Sequence, residues 1–135
     1  MINSAEEFVR LRLSESIDEY LKAAWEDALF EVWLEVIRKY PDMREWVAHN
    51  KTIPVGIMEI LADDANERVR FNVATKNRLP EHLQLKLAKD LDCSVRKRIV
   101  YNKKATFQVL SLLLNDEDED IRTLAKNRID EGRYK

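Results

Sequence analysis

Apolar residues recur at the three- and four-residue spacing of one helix face along most of the chain: Val69, Val73 and Ala74, then Leu83, Leu87 and Leu91, then Val109, Leu110, Leu113 and Leu114. The pattern itself returns every 26 residues. Arg44, Arg70, Arg96 and Arg122 are evenly spaced, and the last three follow Val69, Val95 and Ile121. Beyond each Arg come Val47, Val73, Ile99 or Ala125, then Pro54, Pro80 or Thr106, then Ile57, Leu83 or Val109, and Asp64, Asp90 and Asp116 close the set. Three units keep this register without an insertion, which marks an internal repeat.

Each unit reads as two short helices. Asn66, Asp92 and Asp118 stand at N-cap positions, where a side-chain oxygen accepts from the open N–H groups of the first turn. The helix that follows stops near Asn50, Asn77 and Asn102, and a second starts at Pro54, Pro80 or Thr106. Helices this short bury too little apolar surface alone, so neighbouring units are expected to stack. Residues 1–42 do not follow the period. Ser4 with Glu7 and Ser16 with Glu19 form capping boxes that predict helices over 5–12 and 17–25, and a third is predicted from Asp27 to Tyr40, stopping before Pro41. This region holds Tyr20, Trp25, Phe30, Trp33 and Tyr40, with Trp46 just beyond, either as the core of a terminal cap or as exposed binding anchors. The expected organisation is one folded unit: a helical cap over 1–42, then a repeat array over 43–135 with units near 44–69, 70–95, 96–121 and a partial one at 122–135.

The motif L-x-x-D-x-x-x-x-V-R stands at Leu61, Asp64, Val69 and Arg70, again at Leu87, Asp90, Val95 and Arg96, and as Leu113, Asp116, Ile121 and Arg122. Over about residues 43–130 the chain resembles the HEAT-like α-solenoids, and its short period with Val-Ala and proline-started second helices resembles the variant leucine-rich repeat branch. The resemblance implies an all-α, short right-handed α-solenoid of two-helix units; the period, shorter than the roughly 40 residues of ordinary HEAT units, leaves the second helices, or even some first ones, α or 3₁₀. It also implies a structural ladder in which each loop Asp meets the Arg six residues later: Asp64/Arg70, Asp90/Arg96 and Asp116/Arg122.

Composition narrows the chemistry. With only Gly56 and Gly132, neither a dinucleotide fingerprint nor a P-loop can be built. Cys93 is the single cysteine and His49 and His82 the only histidines, so no Cys/His zinc set is available, and neither histidine has a nucleophile or paired carboxylate at catalytic spacing. Cys93 follows the N-cap Asp92, where a helix dipole can activate a thiol. Asp116 to Asp120 is five consecutive acids, but without the glycine of a calcium loop the run reads as a helix cap. No cofactor, metal or catalytic residue is expected, no membrane span is present, and the expected location is the cytoplasm.

Charge is segregated beneath a net value of −2. Residues 1–42 carry ten acids and five bases, whereas 68–104 carry eleven bases and three acids. Repeat register would line the bases left over from the ladder into a ridge at the helix–helix turns, and Lys76, Arg78, Lys97, Arg98, Lys103 and Lys104 are its candidate residues. The expected function is a non-catalytic protein-binding module, a scaffold, adaptor or toxin-neutralising immunity-type protein of bacterial kind, meeting an acidic partner and acting as a monomer or weak homodimer. The alternative is a nucleic-acid-binding protein resembling the HEAT-like DNA glycosylases, which hold duplex by its backbone. Its opponents are the acidic flanks and the sequence pI of 5.8.

Overall fold

The computed structural model describes residues 1–135. It is all-helical: α1 (Ala5–Arg12), α2 (Ile17–Trp25), α3 (Phe30–Lys39), a 3₁₀ turn (Pro41–Met43), α4 (Arg44–His49), α5 (Val55–Leu61), α6 (Glu67–Ala74), α7 (Glu81–Leu87), α8 (Cys93–Tyr101), α9 (Phe107–Leu113) and α10 (Glu119–Asp130). No helix is long and apolar enough to cross a membrane. The chain divides into two compact units, Met1–Asp64 and Ala65–Lys135.

In the first unit the N-cap half of each expected capping box forms, Ser4 accepting from Glu7 N–H at 3.0 Å and Ser16 from Glu19 N–H at 3.5 Å, while the carboxylates turn elsewhere, Glu7 to Asn3 N–H and Glu19 to Arg10 and Ser14. The third helix starts at Phe30, three residues later than predicted. Residues 26–28 are held extended instead, because the Asp27 carbonyl accepts Ile2 N–H at 2.8 Å and the Glu26 carbonyl accepts Asn50 Nδ2 at 2.9 Å. The helices α4 and α5, assigned in sequence to the repeat array, pack within this unit against α2 and α3. The core centres on Trp33 and Phe8, both fully buried and meeting edge to face at 5.3 Å. Arg12 lies over the rings of Trp46 and Tyr20, at 3.5 and 4.5 Å from their centroids. Of the aromatic cluster, Trp33 is core while Trp25 is 63% exposed.

In the second unit α6, α8 and α10 pack in succession, with α7 on α6 and α8, and α9 on α7 and α10. The second helices α7 and α9 are seven-residue α-helices, as is α5 in the first unit. Asn66, Asp92, Thr106 and Asp118 are all side-chain N-caps. Val69, Val73, Leu83, Leu87, Val95, Ile99, Val109 and Ile121 are buried at the register positions the periodicity selects.

Asp90 and Asp116 do form ion pairs with ladder arginines, but each with a different Arg from the one expected. Arg70 meets Asp90 with Nε–Oδ2 at 2.8 Å and Nη2–Oδ1 at 3.1 Å, and Arg96 meets Asp116 at 2.8 and 3.3 Å in the same bidentate form. Within the first unit Arg44 meets Asp64 at 3.3 Å. Each of these carboxylates thus takes the guanidinium 20 residues before it. The six-residue relation survives as a backbone contact: Arg96 Nη1 donates to the Asp90 carbonyl at 2.8 Å and Arg122 Nη1 to that of Asp116 at 2.7 Å. The cause is local. Asp90 Oδ1 and Asp116 Oδ1 accept the N–H groups of Asp92 and Asp118, turning each loop into the next N-cap and aiming the carboxylate back along the chain.

Candidate functional site

The basic residues singled out from the sequence do not share one surface. Lys76 is buried, 6% exposed. Lys97 lies 3.8 Å from Asp120, and Arg98 is half-buried on the same helix, α8. Arg78, Lys103 and Lys104 remain exposed on two turns, after α6 and after α8. These two turns are tied to each other. The buried Gln84 donates from Nε2 to the carbonyls of Leu79 (2.9 Å) and Lys104 (3.1 Å), and its Oε1 accepts Thr106 N–H at 3.2 Å. Asn102 Oδ1 accepts Lys104 N–H at 2.9 Å, so the segment that carries Lys103 and Lys104 is fixed at both ends.

Lys76 is buried because of a register position that the sequence reading passed over. Asn50, Lys76, Asn102 and Arg128 are spaced by 26 residues and are all buried. Asn50 Nδ2 donates to the carbonyls of Ala23 and Glu26, Asn102 Nδ2 to those of Ala74 and Lys76, and Arg128 Nη1 to those of Val100 and Asn102. These carbonyls lie at or near helix ends, where they have no intrahelical donor. Asn77, the helix stop expected from sequence, is exposed instead, and Thr75 caps α6 by donating to the Asn72 carbonyl at 2.6 Å.

The end of α10 adds groups that sequence reasoning missed. Gly132 has φ +67°, a left-handed conformation that suits glycine. With Gly132 N–H on the Ile129 carbonyl and Arg133 N–H on that of Arg128, it reverses the chain. Residues 133–135 then run beside the turn after α8: Lys135 N–H donates to the Ala105 carbonyl, Phe107 N–H to that of Lys135, and Tyr134 meets Phe107 at 5.3 Å. Arg133 and Lys135 thereby join Lys103 and Lys104. A cavity of about 590 Å³ opens beside Lys103 and Arg133, walled also by Tyr101, Asn127, Arg128 and Tyr134. Glu131 also lines it and is paired with Arg133 at 2.5 Å.

Arg128 is the unusual group in this wall. It is 8% exposed, and its Nε and Nη1 donate only to carbonyls, with no carboxylate among its partners. Burial, and next the nearby Arg133 charge, lower its pKa. By contrast Arg70 and Arg96 have theirs raised, by the hydrogen bonds to Asp90 and Asp116.

The other candidate chemistry resolves into structure. Asp118 caps α10, and the Ile121 N–H it accepts, followed by the Cys93 thiol, holds its carboxyl below the usual range. Cys93 is exposed and donates to Asp118 Oδ2 at 3.4 Å; partial desolvation, then this bond, push the thiol up, against activation as a thiolate. His49 and His82 are exposed. No group of three or more His, Cys, Asp or Glu side chains is gathered as for a metal ion. Comparison with known proteins finds no family model, no curated protein and no solved structure that matches this chain.

Proposed function

We propose that this chain is a non-catalytic protein-interaction module, a short α-solenoid of HEAT-like type whose basic turn surface receives an acidic face of a partner protein. The observation that carries the reading is the clamping of the two basic turns by Gln84, with the chain reversal at Gly132 adding Arg133 and Lys135 beside Lys103 and Lys104. Solvating lysines need no fixed mutual geometry, whereas a docking surface gains affinity when its groups are held in place before binding. The 26-residue recurrence of buried donors and the 20-residue ion pairs support the solenoid reading. Tyr101 and Tyr134, 53% and 43% exposed beside the bases, supply the amphipathic contact area common at interfaces.

The test is affinity capture from source-cell extract with the full chain and with a Lys103→Glu/Lys104→Glu variant, followed by mass spectrometry. An acidic protein retained by the parent and lost from the variant supports the reading. A gel shift with random duplex DNA at about 50 and 200 mM salt runs in parallel, because phosphate contacts make affinity fall steeply with log salt. Salt-steep DNA binding abolished by the charge reversal replaces the protein partner with nucleic acid.

A further inference from the structure

The register position shared by Asn50, Lys76, Asn102 and Arg128 contains its own control. At Asn50 and Asn102 a neutral amide holds two backbone carbonyls, so that task requires a donor and no charge. Arg128 performs the same task with Nη1 alone, on the carbonyls of Val100 and Asn102, while Nε takes that of Arg133. The task needs no full charge; the carbonyl end of α8 offsets part of the guanidinium's charge, and Nη2 has no hydrogen bond within the chain. A buried guanidinium is costly unless a counter-charge meets it, and an anion entering beside it would supply one. Arg128 is 92% buried by its 8% exposure, has no carboxylate partner, and forms part of the wall of the 590 Å³ cavity. That volume lies within the range of small-molecule and side-chain sites.

The rest of the wall defines the ligand. Lys103 adds a second positive charge, and the third, on Arg133, is offset by Glu131. Val100, Leu124, Tyr101 and Tyr134 supply apolar and aromatic surface on the remaining sides. One buried guanidinium and one exposed ammonium match a single carboxylate, and the aromatic walls match an apolar body attached to it. We infer that the cavity between α8, the second half of α10 and the reversed chain at 132–134 is a binding site for an organic carboxylate with an apolar or aromatic body, its charge met by Arg128. The same chemistry comes from two sources, a free organic acid or the C-terminal residue of a peptide. In the second case the inference rests on the partner-binding reading above and identifies which part of the partner enters.

The full chain is titrated, by calorimetry and by amide chemical shifts, with 3-phenylpropionate and with its neutral twin 3-phenylpropanamide. A parallel pair is an acetylated dipeptide ending in phenylalanine, with a free or an amidated terminus. Each acid is expected to bind at least tenfold more tightly than its amide, with shifts at Tyr101, Asn127 and Gly132. The peptide acid binding more tightly than 3-phenylpropionate assigns the site to a partner's terminus, and the reverse order assigns it to a free acid; either order supports the carboxylate site. Arg128→Asn, which installs the residue found at positions 50 and 102, is expected to remove the preference for acid over amide. Equal affinity for acid and amide in the parent protein overturns the inference, whether or not that variant folds, as does inorganic phosphate binding as tightly as the acids. Small acids failing while an acidic protein still binds refutes the cavity alone. Small acids binding while no acidic protein does refutes the partner reading alone.

Discussion

Arg96 and Asp116 face each other with side-chain exposures of 8% and 6%, joined by bonds of 2.8 and 3.3 Å. Replacing Arg96 by Met keeps the aliphatic length but leaves the Asp116 carboxylate buried without its counter-charge and frees the carbonyls of Asp90 and Leu91. Breaking one partner of a buried pair costs roughly 3–5 kcal/mol, a large share of the roughly 5–15 kcal/mol that holds a typical domain. Asp116→Asn is the proper second arm, because its amide oxygen can still accept Asp118 N–H, which Asp116 Oδ1 takes at 2.9 Å. Urea melts followed by far-UV circular dichroism on the parent, both single variants and the double variant give the coupling energy, expected at about 1–3 kcal/mol. The decisive comparison is the cycle between Arg96→Met and Asp90→Asn. Arg96 touches only the backbone of Asp90, whose carboxylate belongs to Arg70, so this second coupling is expected to be the smaller by about 1 kcal/mol or more. Equal couplings, or the larger one at Asp90, refute the 20-residue pairing.

Three further outcomes follow from the packing and the termini of helices. Leu87→Ala, at a side chain 1% exposed, is expected to cost roughly 2–5 kcal/mol in a urea melt, through lost transfer energy and the cavity left behind. Glu6 accepts from Lys39 Nζ at 2.8 Å and Tyr40 Oη at 2.7 Å, which lower its pKa from the ordinary 4.5 to about 2. Its contribution is therefore present above the unfolded value near 4.5 and is lost as pH falls towards 2. Melts of parent and Glu6→Gln should converge on acidification, and a constant gap between pH 6 and pH 2 excludes the tether. Gly132→Ala meets no neighbour within 4 Å, so its cost, about 1–2 kcal/mol, is backbone strain alone. It should release Tyr134 from Phe107, seen as loss of ring-current shifts.

What could be read from the sequence was what depends on local geometry. The N-caps at Ser4 and Ser16 gave α1 and α2 their observed bounds, because a cap and an apolar stripe are set by neighbours a few residues apart. The core positions Val73, Leu83 and Ile99 followed from the period for the same reason. The start of α3 was hidden, since Asp27 is kept out of the helix by Ile2, 25 residues away. The fate of the long cations was hidden too. Lys76 read as a surface base because its neighbours Lys-Asn-Arg look solvated, yet its 26-residue relation to Asn50 and Asn102 was available as a signal and points to burial. Arg128 carries the same signal. The period is plain in the apolar positions and in the Asp and Arg of the loops, and here it also runs through a buried polar position whose residue type changes from unit to unit.

Gln84 offers the sharpest separation between stability and binding. Its register equivalents 26 residues away on either side, Met58 and Leu110, are buried and apolar, so the position accepts an aliphatic side chain. A buried amide is tolerated only when its polar atoms are satisfied, and at Gln84 they are, by the carbonyls of Leu79 and Lys104 and by Thr106 N–H. All three belong to the turns on either side of it. Gln84→Met keeps the side-chain volume but leaves three backbone groups without this partner, the buried Leu79 carbonyl among them, so the stability cost is expected at about 1–3 kcal/mol. The turns themselves should loosen. Amide exchange at Thr106 is expected to accelerate well beyond that of buried Val109, and an acidic partner captured by the parent chain should bind more weakly with no change in secondary structure. If Thr106 stays as protected as before, the amide is not what fixes the turns, and the preorganised surface loses its basis. Faster exchange with undiminished partner binding separates the two claims the other way, leaving the clamp intact and moving the docking surface elsewhere.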